Sequence, residues 1–192
     1  MSDPYSWPGT NCLKNKLGLV DVDQLAIVEA RIVSIRDVEV ARDTIPGQYN
    51  LEHLRSFHRA LFRDIYDWAG ETRTVDIAKG DSTFSHWRYI DDQASAVLSG
   101  LSHDGYLIGF NHGAFVRALA RYYGELNALH PFREGNGRAL RSFLRQLGAG
   151  AGFHLDWSEL SSSDNIRACR ENLMTADTDV LVEVLAPVAR RI

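Results

Sequence analysis

The sequence lacks several features that would place it in a specialised class of protein. Its two cysteines, Cys12 and Cys169, lie far apart and form no Cys-x-x-Cys pair, which argues against a disulfide framework or a cysteine-based zinc site. No apolar run reaches the length of a membrane span, and the opening MSDPYSWPGTNC has neither the basic nor the apolar region of a signal peptide. We therefore expect a cytoplasmic protein with no membrane partner.

A strong charge of either sign is also absent. The formal net charge is −4, from 21 basic and 25 acidic residues, so direct binding to nucleic acid is not expected. The hydrophobic content of 45% and the charged content of 24% are ordinary for a globular protein. A length of 192 residues suits one well-cored domain over 1–192, without a second full domain.

Most of the chain shows apolar residues at helical spacing. The first 20 or so residues read as an irregular arm, and the later patterns predict helices over 22–42, 51–66, 90–101, 114–129, 136–149, 157–173 and 178–190. One stretch, TRTVDIAKGDSTFSHW, instead has partial alternation and β-branched residues around Lys79, Gly80 and Asp81, which predicts a β-hairpin. We therefore predict an all-α (mainly α) domain with one β-hairpin packed on the helices.

The segment 129–141, LHPFREGNGRALR, concentrates unusual backbone chemistry. Pro131 ends the preceding helix and biases His130 away from α geometry, so the histidine side chain should face the loop that follows. A Gly-Asn-Gly run at 135–137 tolerates positive φ. Before a helix, such a run turns several backbone N–H groups toward one point, which predicts an anion-binding loop.

The charged residues of this segment indicate which anion binds. Arg138, Arg141 and Arg145 share one helix face, yet cations in a first turn oppose the helix dipole at about 0.3–1 kcal/mol each. Their placement is best explained by a bound polyphosphate, whose oxygens match arginine forks. Glu134 fits this site as a ligand of Mg²⁺, because one carboxylate plus substrate phosphates commonly holds that ion. With His130 as a potential base, the residues predict a phosphoryl- or nucleotidyl-transfer site.

The sequence resembles one family closely. HPFREGNGRALR matches in full the Fic active-site motif HxFx(D/E)GNGRxxR, DIAKGDSTF resembles the Fic flap, and about 51–157 resembles the Fic core. The resemblance implies the Fic fold, a helical bundle with one β-hairpin flap over the active site. It also implies a protein adenylyltransferase that moves AMP from ATP, with Mg²⁺, to a hydroxyl side chain of a target protein.

The resemblance also implies a role for each motif residue. His130 would be the general base, Glu134 would hold Mg²⁺ against the α- and β-phosphates, and Asn136 with the glycine amides would stabilise the attacked α-phosphate. Arg138 and Arg141 would hold the β- and γ-phosphates. The nucleotide-binding residues implied are Lys79, Gly80, Phe132, Arg133, Gly135, Asn136, Gly137, Arg138 and Arg141.

Four of these positions carry further implications. Phe132 would anchor the loop in the core, and the flap around Lys79 and Gly80 would border the nucleotide and pair with the backbone of the target by strand addition. Relatives that transfer phosphate carry lysine where this chain has Gly137. The glycine therefore favours AMP transfer over the first alternative, phosphotransfer to a protein. The second alternative, a catalytically silent module that binds nucleotide or a partner, is disfavoured because the motif is complete.

An inhibitory motif found in many Fic proteins is missing. That motif, (S/T)xxxE(G/N), supplies a glutamate that pairs with the second motif arginine, here Arg141. Only Glu134 and Glu171 are followed by Gly or Asn, and the position four residues earlier holds His130 or Arg167 instead of Ser or Thr. The resemblance is thus to bacterial class I (FicT-like) toxins, which a small antitoxin protein inhibits by inserting a glutamate toward Arg141. For that class the expected targets are the ATPase subunits of DNA gyrase and topoisomerase IV.

The remaining polar and aromatic residues have simpler interpretations. His53 and His58 lie in an amphipathic pattern and are expected to be structural or exposed, whereas Tyr122 and Tyr123 have core spacing. Arg145 is expected to make a structural ion pair. For Lys79-Gly80-Asp81, an ordinary turn without a functional role stays open as an alternative.

Overall fold

The computed structural model describes residues 3–80 and 82–192. Its helices are α1 (Val22–Arg42), α2 (Leu51–Phe62), α3 (Ile90–His103), α4 (His112–Leu129), α5 (Asn136–Gly150), α6 (Ser162–Thr175) and α7 (Asp179–Leu185). Its strands are β1 (Ala78–Lys79), β2 (Ser82–Thr83), β3 (Phe153–Leu155) and β4 (Ala189–Arg191). The predicted mainly α fold with a β-hairpin is confirmed.

Capping residues explain where the helices begin. Asp21 accepts a hydrogen bond from the Gln24 amide at 2.8 Å at the start of α1, and Asn50 and Asn111 cap α2 and α4 in the same way. The helix predicted over 51–66 is shorter than expected. After Phe62 the chain passes through turns, and Ile65 and Tyr66 are buried there, 0% and 1% exposed, as part of the core without being helical.

The C-terminal region differs from the predicted pair of helices. The predicted helix over 157–173 is split into a 3-10 turn, Trp157–Glu159, and α6. The predicted helix over 178–190 ends at Leu185, because Pro187 has no N–H with which to continue it. Strand β4 follows and pairs antiparallel with β3, with Phe153 opposite Arg191 and Leu155 opposite Ala189. A second two-stranded sheet therefore accompanies the predicted hairpin.

Helices α4 and α5 form the centre of the molecule. Phe115 and Leu119 of α4 and Phe143 and Leu144 of α5 are all 0% exposed, and α2 packs along α5. The segment between the end of α4 and the start of α5 is the motif loop 130–135. Its two ends are therefore fixed by the most deeply buried helices of the domain.

Short segments outside the bundle close over this loop. The hairpin β1–β2 lies beside it, and Ser85, just after the hairpin, donates its amide to the Ala128 carbonyl of α4 at 3.1 Å. The N-terminal arm reaches it as well, through an Asp3–Arg133 ion pair of 2.6 Å. Within the part of the chain that the structure describes, no helix combines the length and apolar character needed to span a bilayer.

Candidate active site

The motif loop borders a cavity of about 660 Å³ between the flap, α4, α5 and α6. Nearly all the residues singled out from the sequence line it: Lys79, Gly80, His130, Arg133, Glu134, Gly135, Asn136, Gly137, Arg138 and Arg141. Phe132 is the exception, because it is 1% exposed and packs under the loop. The structure therefore brings together residues that are up to 62 positions apart in sequence.

His130 is held in one orientation and one protonation state. The residue adopts the left-handed conformation, φ 44°, between α4 and Pro131. Its ring Nδ1 lies 2.5 Å from the Asn127 carbonyl, so Nδ1 carries the proton and donates it, and Nε2 keeps a free lone pair. The ring stacks on Phe84 of the flap side, with centroids 3.7 Å apart. Burial lowers the pKa of His130 to about 4, against smaller opposing effects of the hydrogen bond to Asn127 and of the charge on Glu134.

Asn136 and Phe132 brace the loop from within. The Phe132 amide donates to Asn136 Oδ1 at 2.8 Å, and Asn136 Nδ2 donates to the Phe132 carbonyl at 2.8 Å. Asn136 is 9% exposed, and these two bonds engage both ends of its side-chain amide. Its observed contacts therefore shape the loop, while its expected contact with a phosphate stays a prediction.

His58 of α2 supports the same loop from below. Its Nδ1 accepts from the Gly70 amide at 2.8 Å, so Nε2 carries the proton and donates to the Glu134 carbonyl at 2.9 Å. Its ring stacks on Phe132 with centroids 3.9 Å apart. Burial lowers the pKa of His58 to about 3, so the ring is neutral at pH 7. The structural role predicted for His58 is confirmed, but its link to Glu134 is a long-range contact with no sequence signal.

Gly135 is required by both conformation and space. Its φ is 79°, and a Cβ built there would lie 2.2 Å from the Phe62 ring. It is the N-cap residue of α5, which has no side-chain cap, so the first N–H groups of that helix are left for another acceptor at the cavity. The anion-binding character predicted for 135–137 is consistent with this uncapped helix start.

The two motif arginines have different neighbours. Arg138 lies 2.6 Å from Glu29 of α1 and 3.3 Å from Glu134, and its guanidinium lies 4.8 Å from the centroid of the Phe62 ring. Glu29 is 7% exposed and also accepts from the Tyr66 hydroxyl. No sequence pattern indicated Glu29, because it belongs to a helix about 100 residues before the motif. It is a carboxylate that fixes Arg138 from outside the motif loop.

Arg141 faces the wall of the cavity that α6 provides. This wall includes Asn165 and Cys169, and the Tyr123 hydroxyl donates to Asn165 Oδ1 at 2.6 Å. Tyr123 has the buried position that its spacing predicted, 2% exposed, and burial raises the pKa of its hydroxyl. Sequence reasoning missed the contribution of α6, because a polar residue on an amphipathic helix gives no sign of the cavity it borders.

Arg133 and Arg145 are engaged in ion pairs. Arg133 lines the cavity but its guanidinium pairs with Asp3 at 2.6 Å. Arg145 pairs with Asp37 of α1 at 2.5 Å, which confirms its predicted structural role.

The hairpin predicted as a flap lies at the edge of the cavity. Lys79 pairs with Ser82 and Ala78 with Thr83 in the antiparallel hairpin, and Lys79 and Gly80 border the cavity. Both are exposed, and Gly80 has φ 59° with open space around it. Asp81, which the sequence places in the same turn, lies outside the described residues.

The donor set for a metal is small. Residues 3–80 and 82–192 contain no group of three or more His, Cys, Asp or Glu side chains that could hold an ion. Among the described residues, Glu134 is the one acidic side chain that lines the cavity, and it is about half exposed. One accessible carboxylate beside an anion-binding loop fits Mg²⁺, which takes most of its ligands from phosphates and water.

Known proteins match the chain over this site and its surroundings. The profile of the Fic/DOC family matches residues 48–147. The chain is 42% identical over 171 residues to protein adenylyltransferase VbhT of Bartonella schoenbuchensis, a match that covers 89% of this chain and 36% of VbhT. It is also 42% identical to the probable protein adenylyltransferase Fic of Salmonella typhimurium, over 83% of this chain and 78% of that protein.

A solved structure shows the same fold. The crystal structure of BepC protein, a VirB-translocated Bartonella effector protein from Bartonella tribocorum, contains bound AMPPNP and is 25% identical to this chain. The two superpose with a TM-score of 0.93, over 98% of this chain and 97% of that one. The agreement therefore extends well beyond the motif, to the flanking helices on both sides.

Proposed function

The chain belongs to the Fic/DOC family, and from that premise we propose that it is a protein adenylyltransferase acting in the cytoplasm. It transfers AMP from ATP to a hydroxyl side chain of another protein and releases diphosphate. The observation that carries this proposal is the geometry at His130. A neutral imidazole with Nε2 free lies at the edge of a cavity lined by glycine backbone and arginines.

The proposed step is an in-line displacement at the α-phosphate. The hydroxyl oxygen of the target attacks the α-phosphorus, the bond to the bridging oxygen of the β-phosphate breaks, and Nε2 of His130 takes the hydroxyl proton. The low pKa of His130 keeps it unprotonated before ATP binds. A bound triphosphate places negative charge beside the ring and raises its basicity, because opposite charges favour the imidazolium.

The start of α5 is proposed to hold the phosphates. Its uncapped N–H groups, at Asn136 and Gly137, supply backbone donors, while Arg138 and Arg141 supply two guanidinium groups. The Gly135 amide already donates to Glu134 Oε1 at 2.8 Å. Glu29 and Phe62 fix the position of Arg138 before substrate arrives, which reduces the reorganisation needed during the reaction. When bound with ATP through Glu134, Mg²⁺ would neutralise charge on the departing diphosphate.

Transfer of AMP is favoured over transfer of phosphate by the identity of the residue after Asn136, which is Gly137 here and lysine in relatives that transfer phosphate. The silent-module alternative is disfavoured because the base, the carboxylate and both arginines all border one cavity.

The flap is proposed as the docking site of the target. Ala78 and Lys79 form a two-residue strand with exposed side chains at the edge of the cavity. An extended target segment could pair with this edge by strand addition, which would direct its hydroxyl toward His130. By analogy with class I relatives, the proposed targets are the ATPase subunits of DNA gyrase and topoisomerase IV.

A small antitoxin protein is the proposed inhibitor. A second groove, of about 250 Å³, runs between α1 and α5, and its lining includes Arg138, Arg141, Arg145 and Asp37. Asp37 pairs with Arg145 and Glu29 pairs with Arg138, so an inserted glutamate would be directed toward Arg141. The chain has a carboxylate of its own nearby, Glu29 of α1, which pairs with Arg138. The glutamate of the missing inhibitory motif would pair with Arg141, so Glu29 does not replace it.

The proposal is tested by labelling proteins of a bacterial lysate with α-labelled ATP and Mg²⁺. The purified chain should label a discrete protein, His130→Ala should abolish the label, and His154→Ala, which changes an exposed histidine of β3, should keep it. Purified gyrase and topoisomerase IV ATPase subunits then test the target. Equal labelling by the His130→Ala protein would contradict the proposed base.

A further inference from the structure

Arg73 makes an unusual set of contacts between α2 and the flap. It is 1% exposed and its guanidinium is fully enclosed. Four of its donor contacts go to backbone carbonyls, with distances of 2.8 Å from Nε to His130, 2.6 Å from Nη1 to Val75 and 3.1 Å from Nη2 to Leu129, plus a further bond from Nη2 to Ser85. Its own amide donates to the Pro131 carbonyl at 2.8 Å.

These carbonyls belong to two different parts of the site. Val75 and Ser85 form the stem of the flap, one before β1 and one after β2. Leu129 and His130 are the last residue of α4 and the proposed base. One side chain therefore joins both sides of the flap stem to the backbone of the catalytic histidine.

Arg73 and the four carbonyls that it binds, those of Val75, Ser85, Leu129 and His130, form a junction. The energetics of its hydrogen bonds explain why this junction is rigid. A buried guanidinium is costly unless its donors are satisfied, and its nearest carboxylate, Asp76, lies 3.8 Å away and is half exposed. The compensation comes from the carbonyls, helped by the negative end of the α4 dipole. Arginine alone offers a planar fork of five donors, so each carbonyl is fixed in direction as well as in distance.

Two neighbouring contacts also join the end of the flap to the end of α4 and to His130. The Ser85 amide donates to the Ala128 carbonyl at 3.1 Å, and the Phe84 ring stacks on the His130 ring. Arg73 itself does not line the nucleotide cavity. The junction can therefore influence the position of the flap and of His130 without touching ATP.

We propose that Arg73 is a positioning residue that makes the flap stem and His130 one rigid unit, so that a target strand on the flap presents its hydroxyl at a fixed distance from Nε2. This inference rests on the proposed function for its catalytic consequence. Its structural consequence does not depend on the reaction. The flap stem and the motif loop should open together, in one local unfolding event.

The first test is native-state amide exchange of the unmodified chain. The amides of Arg73, Ser85 and His130 should open with one common free energy, whereas those of β1 and β2 at the flap tip should exchange faster. Exchange of Ser85 at the rate of the flap tip, with His130 still protected, would overturn the proposal. This measurement needs no variant and no target.

The second test compares Arg73→Lys with Arg117→Lys, a control on an exposed residue of α4. Lysine keeps the charge and loses the fork, so Ser85 should exchange about tenfold faster. ATP affinity should stay within about threefold, and kcat for label transfer should fall about 100-fold, the scale expected for a misplacement of about 1 Å. The control should change none of these.

The outcomes separate this inference from the proposed function. If Arg73→Lys keeps unmodified exchange at Ser85, Arg73 does not join the flap to the loop and the proposal fails. If the chain labels no protein but the exchange pattern holds, the junction stands and the adenylyltransferase assignment fails. A Lys variant that loses ATP affinity and kcat together would make Arg73 a general stabiliser, which also contradicts a positioning role.

Discussion

At the scale of single residues, the site depends on side chains that use their hydrogen-bonding atoms to hold the motif loop in place. Asn136 closes the turn around Phe132, and His58 fixes the carbonyl of Glu134. His130 is oriented by the carbonyl of Asn127. The groups expected to meet substrate are thereby pre-positioned, which is what lowers the cost of ordering them during a reaction.

Gly135→Ala should destabilise the protein for two separable reasons. A left-handed φ costs an alanine about 1–2 kcal/mol, and the clash of the new Cβ with the Phe62 ring adds about 1–3 kcal/mol. Gly9→Ala is a matched control, since Gly9 has φ 76° but nothing within 4 Å of a Cβ. Urea unfolding of both variants measures the difference, and equal losses would show that the Phe62 contact is unimportant.

The buried neutral histidines should make stability depend on pH. The pKa of His58 is lowered from 6.5 to about 3, so between those values the unfolded chain binds a proton that the folded chain does not. Stability is therefore present above pH 6.5 and is lost as pH falls. His58 alone should remove roughly 3 kcal/mol of the free energy of unfolding between about pH 6.5 and 4.

This slope is checked by urea unfolding across that range. His58→Gln should flatten it, because the titrating group is gone, whatever its effect on stability at pH 7. His154→Ala, which alters an exposed histidine, should leave the slope unchanged. A slope as steep in His58→Gln as in the unmodified chain would assign the pH dependence to other groups.

At the scale of elements, the sequence predicted what depends on local signals. The start of α1 at Val22 and the spans of α4 and α5, to within two residues, follow from apolar spacing and Pro131. The flap could be predicted because partial alternation and β-branched residues surround Gly80 in the sequence. The motif predicted most of the residues of its own loop and of α5 that line the cavity, but none of those that α6 contributes.

The elements that were missed depend on distant contacts. Strands β3 and β4 are three residues each, too short to show a period of two, and they pair across 34 or more positions. The contacts of Glu29 and Arg73 likewise join segments that no local pattern connects. Only the tertiary structure brings these partners together.

Phe153→Ala tests whether the small sheet β3–β4 is part of the core. Phe153 is 1% exposed and stacks on Phe115 of α4 with centroids 4.0 Å apart. Its removal should cost about 3–5 kcal/mol of unfolding free energy. His154→Ala, on the opposite face of the same strand, should cost less than about 0.5 kcal/mol. A small loss for Phe153→Ala would place the sheet outside the cooperative unit.

At the scale of the whole molecule, one helical bundle serves as the frame for one loop. The described residues outside 48–147 complete the site, since α1 supplies Glu29 beside Arg138 and α6 supplies a wall of the cavity. The flanking helices are thus part of the functional unit as well as of the fold. Their agreement with BepC over nearly the whole chain fits this interpretation.

The central claim is that the bond broken lies between the α- and β-phosphates. It is tested most directly by one reaction of the purified chain, lysate protein and Mg²⁺ with ATP that carries distinguishable labels at the α- and γ-phosphates. The account predicts that protein acquires the α label alone and that this label is lost with His130→Ala. Protein that acquires the γ label would contradict AMP transfer and establish phosphotransfer in its place.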